Sequence, residues 1–375
     1  MNELELMQVI AEGESETIEL KESFDKSAVK AAGAFANTKG GMIIIGISDK
    51  REIKGVTVGN ETLNNWINQI TQSTDPHIIP TVELNKIENK TLVVIRVVES
   101  FIKPIAVNGR CYRRVGESTR VITAQEIVRM HLSSTGSSWD ASPTMSNASL
   151  NELDEKTISR FVDRGVKKGR LPYEYSEGFY GEAVRSNFDF ATAMRSVIER
   201  FHLAAGEQLT NGSILLFGTN PQTYFPDFSV QVLRLKTEAD IIDDKRIGGN
   251  LFQQCEGALA AIRQNIGKAA KIESVEREDL PDYPVAVIRE ALLNALTHRD
   301  YITSHEFIQI KIYEDHIWFF NPGGLPKDIT IEDLKKQHRA HPRNPRIAEV
   351  FYYAGYVEES GTGTLRMIRR MREAG

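Results

Sequence analysis

Apolar positions change their period several times along the 375-residue chain, and each change marks an element. Residues 27–37 place Val29, Ala32, Phe35 and Ala36 at helical spacing. They run out into Asn37-Thr38-Lys39-Gly40-Gly41, a strong turn signal, so a helix is predicted there. The apolar run Met42-Ile43-Ile44-Ile45-Gly46-Ile47 and the β-branched stretch 91–98 predict strands, and Tyr112-Arg113-Arg114-Val115 a shorter one ending at Gly116. Beyond a stretch rich in Ser at 133–149, residues 157–165 and 190–201 are spaced as helices. Residues 213–217 and 229–235 read as strands, and 247–266 as a long helix. Pro281 and Pro284 punctuate the entry to a last block, which predicts a helix at 285–298, strands at 307–312 and 316–320, a Gly/Pro loop and a final helix from Thr364.

This alternation predicts a mixed α/β (α+β) protein in four parts: an N-terminal domain over 1–133, a linker over 134–149, a connector domain over 150–279 and a C-terminal domain over 280–375. The longest strongly apolar run is strand length, so no membrane span is expected. The acidic N-terminus carries no signal-peptide n-region, and Cys111 and Cys255, far apart in sequence, offer no metal spacing or disulfide framework. A reduced, cytoplasmic protein is expected. The formal charge of −5 excludes a generally basic coat, yet 101–120 carries five basic residues against the single acid Glu117. Residues 335–346 carry five basic residues, His338 and His341, and no acid. Local contact with anions is therefore expected at two places.

Glu290 and Asn294 lie four residues apart on one face of the helix at 285–298. Such a face offers an amide oxygen to a magnesium ion and a carboxylate to a water molecule. Downstream come Asn321-Pro322-Gly323-Gly324-Leu325-Pro326 and then Glu359-Ser360-Gly361-Thr362-Gly363-Thr364. Glycines at a helix start expose backbone N–H groups to which the helix dipole draws phosphate. In this order and spacing the segments resemble the ATP-binding domain of the GHKL (histidine-kinase-like) superfamily, above all the divergent branch found in bacterial and archaeal proteins described as transcriptional regulators. The resemblance covers about residues 280–375. It implies ATP and Mg²⁺ as cofactors, with Asn294 holding Mg²⁺ and Glu290 as general base in ATP hydrolysis. It also implies Gly361, Thr362 and Gly363 around the phosphates, Gly323 and Gly324 on the adenine side, and Arg343 and Asn344 in a mobile segment over the nucleotide. Asn321 stands where the superfamily has an Asp reading the adenine amino group. An amide still accepts that hydrogen bond without the charge-assisted part, which favours ATP binding, with at most slow hydrolysis.

At the other end, Glu14, the segment Glu19-Leu20-Lys21, Asn37, Gly40, Gly41 and Asp49 follow in an order that resembles the Schlafen-AlbA domain over about residues 10–130, including Arg113-Arg114-Val115-Gly116. Asn37 with the two glycines is expected to form a tight turn presenting a small polar side chain at the sheet rim. The resemblance implies nucleic-acid binding, with DNA or RNA left open, and Lys21, Lys39, Arg110, Arg113 and Arg114 are the expected phosphate contacts. Animal Schlafens that cut transfer RNA use two Glu, a Lys and an Asp in this framework. Glu14, Glu19, Lys21 and Asp49 match them, so a metal-dependent (Mg²⁺ or Mn²⁺) endonuclease is the alternative. The resemblances together imply a regulatory protein of transcription or antiviral defence, in which Mg·ATP at one end switches nucleic-acid binding at the other. An ATP-gated nuclease and a non-catalytic assembly platform are the rivals. GHKL relatives often dimerise, so a homo-oligomer is expected. Family members commonly continue into a winged helix, so either a truncated chain or a shortened member is expected.

Overall fold

The computed structural model describes residues 2–145, 148–175, 190–272, 283–302, 305–325, 329–337, 341–357 and 362–374. It is a mixed α/β structure in two compact units, Met1–Ser137 and Ser138–Gly375. Among the described residues no helix is long and apolar enough to cross a membrane.

The first unit contains α1 (Glu3–Glu12), β1 (Ile18–Lys21), α2 (Lys26–Ala36), β2 (Gly41–Ile45), α3 (Asn60–Ser73) and β3 (Thr74–Asp75). It continues through β4 (Thr81–Ile87), β5 (Lys90–Val97), β6 (Ala106–Val107), β7 (Arg110–Val115), β8 (Ser118–Val121) and α4 (Ala124–Ser134). One sheet has the order β1-β2-β5-β4, with β1 parallel to β2 and the other pairs antiparallel; the second runs β3-β6-β7-β8. Helix α2 packs against strands of both sheets. Its sequence permits this because small residues cover nearly its whole circumference: Ala28, Ala31, Ala32, Ala34 and Ala36 are buried together with Val29 and Phe35. A helix apolar all round belongs inside. Asp25 starts it, its carboxylate accepting from the N–H groups of Ser27 (2.8 Å) and Ala28 (3.1 Å).

The turn after α2 is built differently from the expected rim. Asn37 is buried, and its amide faces inward: Nδ2 donates to the carbonyls of Ile105 (2.7 Å) and Tyr112 (2.9 Å), and Oδ1 accepts from the Ile105 N–H (2.6 Å). It ties the end of α2 to the second sheet by satisfying backbone groups that would otherwise be stranded. Gly40, at φ +73°, has backbone atoms of residues 97–99 where a Cβ would stand.

The second unit contains α5 (Glu155–Lys167), α6 (Phe190–Arg200), β9 (Ala204–Ala205), β10 (Gln208–Leu209), α7 (Asn211–Phe217), β11 (Val230–Leu235) and β12 (Ile241–Ile247). After these come α8 (Leu251–Ile272), α9 (Val285–His298), β13 (Ile308–Ile312), β14 (Ile317–Phe320), α10 (Pro345–Tyr353) and α11 (Gly363–Glu373). Its main sheet has the order β12-β11-β13-β14, with β11 parallel to β13. Helices α8 and α9 pack on it through Cys255, Ala258, Ile262, Ile288, Leu292 and Leu296, against Val230, Val232, Ile308 and Ile310. The blocks expected at 150–279 and 280–375 thus share one sheet and one core.

The strand expected at 213–217 is a helix, α7, and every one of its residues is buried. A short apolar run does not distinguish a buried strand from a buried helix by period. The deciding feature is the preceding Thr210, whose hydroxyl accepts from the Ser213 N–H (3.3 Å). Within the expected linker, Trp139 stacks on Tyr301 (5.0 Å between centroids) and Asp140 is fully buried. The Asp140 carboxylate accepts from the Ile347 N–H (3.0 Å) in the first turn of α10 and from the Ser138 hydroxyl.

Asp140→Ala should lower the unfolding free energy by about 1–2 kcal/mol, as for loss of a helix cap, whereas Asp140→Asn should cost less. Burial pushes the Asp140 carboxyl above its ordinary value. A raised folded value means a contribution fully present below the ordinary carboxylate value of about 4 and lost as pH rises through the folded value. Denaturant titrations at several pH values should therefore show Asp140→Asn gaining on the parent as pH rises. A pH-independent difference between the two would contradict this.

Candidate functional sites

Helix α9 presents Glu290 and Asn294 on one face and packs against α8, β14 and α11. Glu290 is half-buried, and its carboxylate lies on the first residue of α11: a Cβ on Gly363 would stand 2.1 Å from Oε1. A side chain at Gly363 would push this carboxylate aside. Burial pushes the Glu290 carboxyl up, and the Arg366 and Arg370 guanidinium groups pull it back. From Gly363, steps of three and seven residues put both arginines on the face of α11 that carries the glycine. The sequence reading missed them, although the spacing was a usable signal. Thr362 precedes α11 at its N-cap position. The buried hydroxyl of Thr364 has no hydrogen-bond partner among the described residues. Gly361 lies outside the described residues.

The residues expected around the base are held by protein contacts. Asn321 follows β14, and its buried Oδ1 accepts no hydrogen bond among the described residues. Gly323, at φ +111°, lies against the Arg343 guanidinium, where a Cβ would be 2.0 Å from Nη1. Arg343 Nη2 donates to the Gly324 carbonyl (2.7 Å). Asn344 does not sit in an open segment: it is 1% exposed, and its Nδ2 donates to the carbonyls of Thr297 (2.8 Å) and Arg299 (2.9 Å) at the end of α9. Arg299 is itself buried, over the rings of Phe228 (4.6 Å) and Tyr301 (5.3 Å), with Nη2 donating to the Glu306 carbonyl (2.7 Å). These residues hold the site together from behind.

This arrangement fits Mg·ATP. An acceptor at Asn321 and a hydroxyl at Thr364 are buried without partners among the described residues, and the half-exposed Asn294 amide shares a face with Glu290. One protein oxygen is a reasonable share of a magnesium shell that phosphates and waters otherwise complete.

In the first unit, Glu19 is 7% exposed and its carboxylate is taken up by Arg114 Nη1 (2.5 Å) and Lys21 Nζ (2.8 Å). Arg114 is buried too. Its Nη2 donates to the carbonyls of Ser15 (2.7 Å) and Ile18 (3.3 Å), its Nη1 to the Thr119 hydroxyl (3.0 Å), and it lies over the Phe35 ring. It is a structural cation and not a surface contact. Glu14 accepts from the Leu20 N–H (3.2 Å) and lies 3.9 Å from Lys21. Burial works against the Lys21 charge, but the hydrogen bond to Glu19 and the charges of Glu19, Glu14 and Asp25 outweigh it and hold its pKa up. Asp49 is exposed, and among the described residues no three His, Cys, Asp or Glu form a group able to hold a metal ion. Glu14, Glu19 and Asp49 therefore do not fit a divalent metal in this arrangement.

The remaining cations stay outside. Lys39 pairs with Glu16 (2.7 Å), Arg113 with Glu126 (3.0 Å), and Arg110 is exposed at the start of β7. Directly across from Arg113, on β8, stands Arg120, also exposed. Like charges in cross-strand register repel, and an anion laid over them removes the penalty. Arg120 had counted only as part of a charge run; the pairing register sets it beside Arg113.

Residues 14–123 match the family described as "Schlafen, AlbA_2", and residues 305–375 the family described as "Putative ATP-dependent DNA helicase recG C-terminal". The chain thus has a Schlafen/AlbA_2 domain at its N-terminus and a RecG C-terminal-like, ATPase-type domain at its C-terminus. No curated protein matches it. Among solved structures, the DIP2311 protein from Corynebacterium diphtheriae is 20% identical with a TM-score of 0.43, the match covering 97% of this chain and 63% of that one. The N-terminal domain of a "Putative ATP-dependent DNA Helicase RecG-related Protein" from Nitrosomonas europaea is 28% identical with a TM-score of 0.24, covering 32% of this chain and 89% of that one.

Removing one member of the buried pair leaves the other charge stranded, so Glu19→Ala and Arg114→Ala should each cost about 3–5 kcal/mol. The double variant Glu19→Leu/Arg114→Met should cost less than the sum, because the Glu19–Arg114 pair is removed as a unit, leaving the loss of the Lys21 partner and of the donor to the Ser15 and Ile18 carbonyls. Urea unfolding of the first unit and its three variants measures this. Additive losses would mean that the pair is not coupled.

Proposed function

We propose that this is an ATP-binding, nucleic-acid-binding regulatory protein, in which Mg·ATP in the second unit switches nucleic-acid binding by the first. The observation carrying the ATP reading is the Glu290 carboxylate seated on Gly363 with Arg366 and Arg370 beside it, in a chain whose C-terminal residues match an ATPase-type family. Bound Mg²⁺, held by Asn294, would supply charge to offset the phosphates. Glu290 would hold a water and take its proton. Its half-burial supports this role, because a carboxyl raised above its ordinary value is a better proton acceptor near neutrality. Asn321 Oδ1 would accept from the base, and the Thr364 hydroxyl would meet phosphate oxygens at the start of α11.

The nucleic-acid reading rests on the opposed pair Arg113 and Arg120, with Arg110 and Lys39 on the same unit, and on the Schlafen/AlbA_2 match. Arg114 is left out of this face because Glu19 holds it. Contacts of this kind are to the phosphate backbone, so they bring affinity without sequence specificity. Regulation of transcription or defence is the setting this combination suits best.

Calorimetry should show ATP binding that needs Mg²⁺ and falls about tenfold or more in Asn294→Ala, which removes a charge-linked contact. Glu290→Gln should retain binding and lower hydrolysis by about 10²–10⁴-fold, the usual share of a general base. Hydrolysis should rise with pH through the raised Glu290 value. Absence of ATP binding in the unmodified protein would refute the ATP reading. Independently, Arg113→Glu/Arg120→Glu should weaken binding to any duplex and reduce the salt slope by about one to two; an unchanged slope would remove this face from consideration.

A further inference from the structure

We infer that Arg343 and Asp300 form a clamp that positions the base-reading loop at 321–324, which makes them selectivity-determining positioning residues of the site. The inference rests on the ATP reading and refines it. The loop leaves β14 at the edge of the sheet, where no further strand of the described residues holds it. Two hydrogen bonds bracket its glycine instead. The Asp300 N–H donates to the Pro322 carbonyl (2.8 Å) on one side, and Arg343 Nη2 to the Gly324 carbonyl (2.7 Å) on the other.

Between these two bonds the chain passes through Gly323 at φ +111°, a region closed in practice to side chains. A Cβ there would also stand 2.0 Å from Arg343 Nη1 and 2.8 Å from the Asp300 Cβ. The missing side chain thus makes room for the guanidinium. The glycine pair that reads in sequence as close approach to a ligand is, at Gly323, close approach to Arg343.

The clamp is itself fixed. Asp300 is 2% exposed, its Oδ1 accepts from the Ile302 N–H (3.0 Å), and its Oδ2 lies 3.8 Å from Arg343 Nη1. The next residue after Arg343 is Asn344, bonded to the carbonyls of Thr297 and Arg299 at the end of α9. The loop carrying Asn321 is therefore tied, through Arg343 and Asn344, to the helix that carries Glu290 and Asn294. Asn321 Oδ1 is an acceptor with no partner among the described residues, and the clamp sets where it points. An acceptor favours a purine bearing an exocyclic amino group at position 6 and disfavours one bearing an oxo group there, since two acceptors meet. Lysine cannot replace the arginine: a single ammonium cannot reproduce the planar fork that reaches Gly324 while filling the space over Gly323.

The test compares Mg·ATP and Mg·GTP affinities by calorimetry in the parent protein and in Arg343→Lys, Arg343→Ala and Asn321→Ala, with a thermal melt of each. The parent should prefer ATP, and both Arg343 variants should lose about tenfold or more in ATP affinity while the ATP/GTP ratio falls toward the value for Asn321→Ala. A merely structural role would lower the melting temperature and weaken both nucleotides equally, and that result would overturn the inference. So would unchanged affinities. If Arg343→Ala does not fold, Arg343→Lys carries the comparison. Failure of the parent to bind ATP at all is a separate result, which removes the underlying reading and not the clamp alone.

Discussion

Helix ends inside a protein leave N–H and C=O groups that something must answer. The second unit meets this constraint around one short helix. At the start of α10, Asp140 accepts from the Ile347 N–H, across 207 positions of sequence. At its other end, Arg164 donates to the Ala354 carbonyl (3.2 Å) and Arg170 to those of Tyr352 and Val357, each guanidinium lying over a tyrosine ring. Just ahead of α10, Asn344 answers the carbonyls that α9 leaves open. The candidate nucleotide site hangs from this arrangement, because α9 carries Glu290 and Asn294 and Arg343 reaches the glycine loop. Polar residues from segments far apart in sequence therefore set the relative placement of the site's parts.

The first unit follows the same logic with charge. Glu19, Lys21 and Arg114 read as chemistry because a sequence displays charged residues without their partners. Once folded, Arg114 satisfies three oxygens of Glu19, Ser15 and Ile18 from the interior, and Glu19 balances it. A buried ion pair of this kind offsets its own desolvation at best and punishes removal of either partner. It makes the first unit intolerant of change where the sequence suggests an active centre, and it leaves Arg113 and Arg120 as the exposed cations of β7 and β8.

The backbone elements were largely legible and the side-chain directions were not. The strands at β2, β5 and β13 and the helices α2 and α9 come from long runs of consistent period, which burial enforces. The strand expected at 213–217 failed because four consecutive apolar residues after Ser213 carry too little periodicity, and the capping Thr210 had to decide. Glu290 and Asn294 were legible as a pair because helix geometry alone puts them on one face. Asn37, Arg114 and Asn344 were misplaced for a common reason: each is polar, and nothing local says that its partner is a carbonyl or carboxylate far away in sequence. Arg366, Arg370 and Arg120 were missed because their meaning depends on a neighbour in space, whether Glu290 on another helix or Arg113 on another strand.

The three tryptophans are distributed in a way that has a practical consequence. Trp66 stacks on Phe24 (4.8 Å) in the first unit, whereas Trp139 lies among Phe225, Phe228 and Tyr301 against the core of the second, next to the residue that caps α10. Trp318, on β14, is 40% exposed and stacks on Phe320, one residue before Asn321. The molecule therefore carries its own optical labels: one indole in the first unit, one packed against the core of the second, and one on the strand that leads to the loop at 321–324. With single-tryptophan variants, melting of either half and movement of that loop become separable signals in intrinsic fluorescence, with no dye attached.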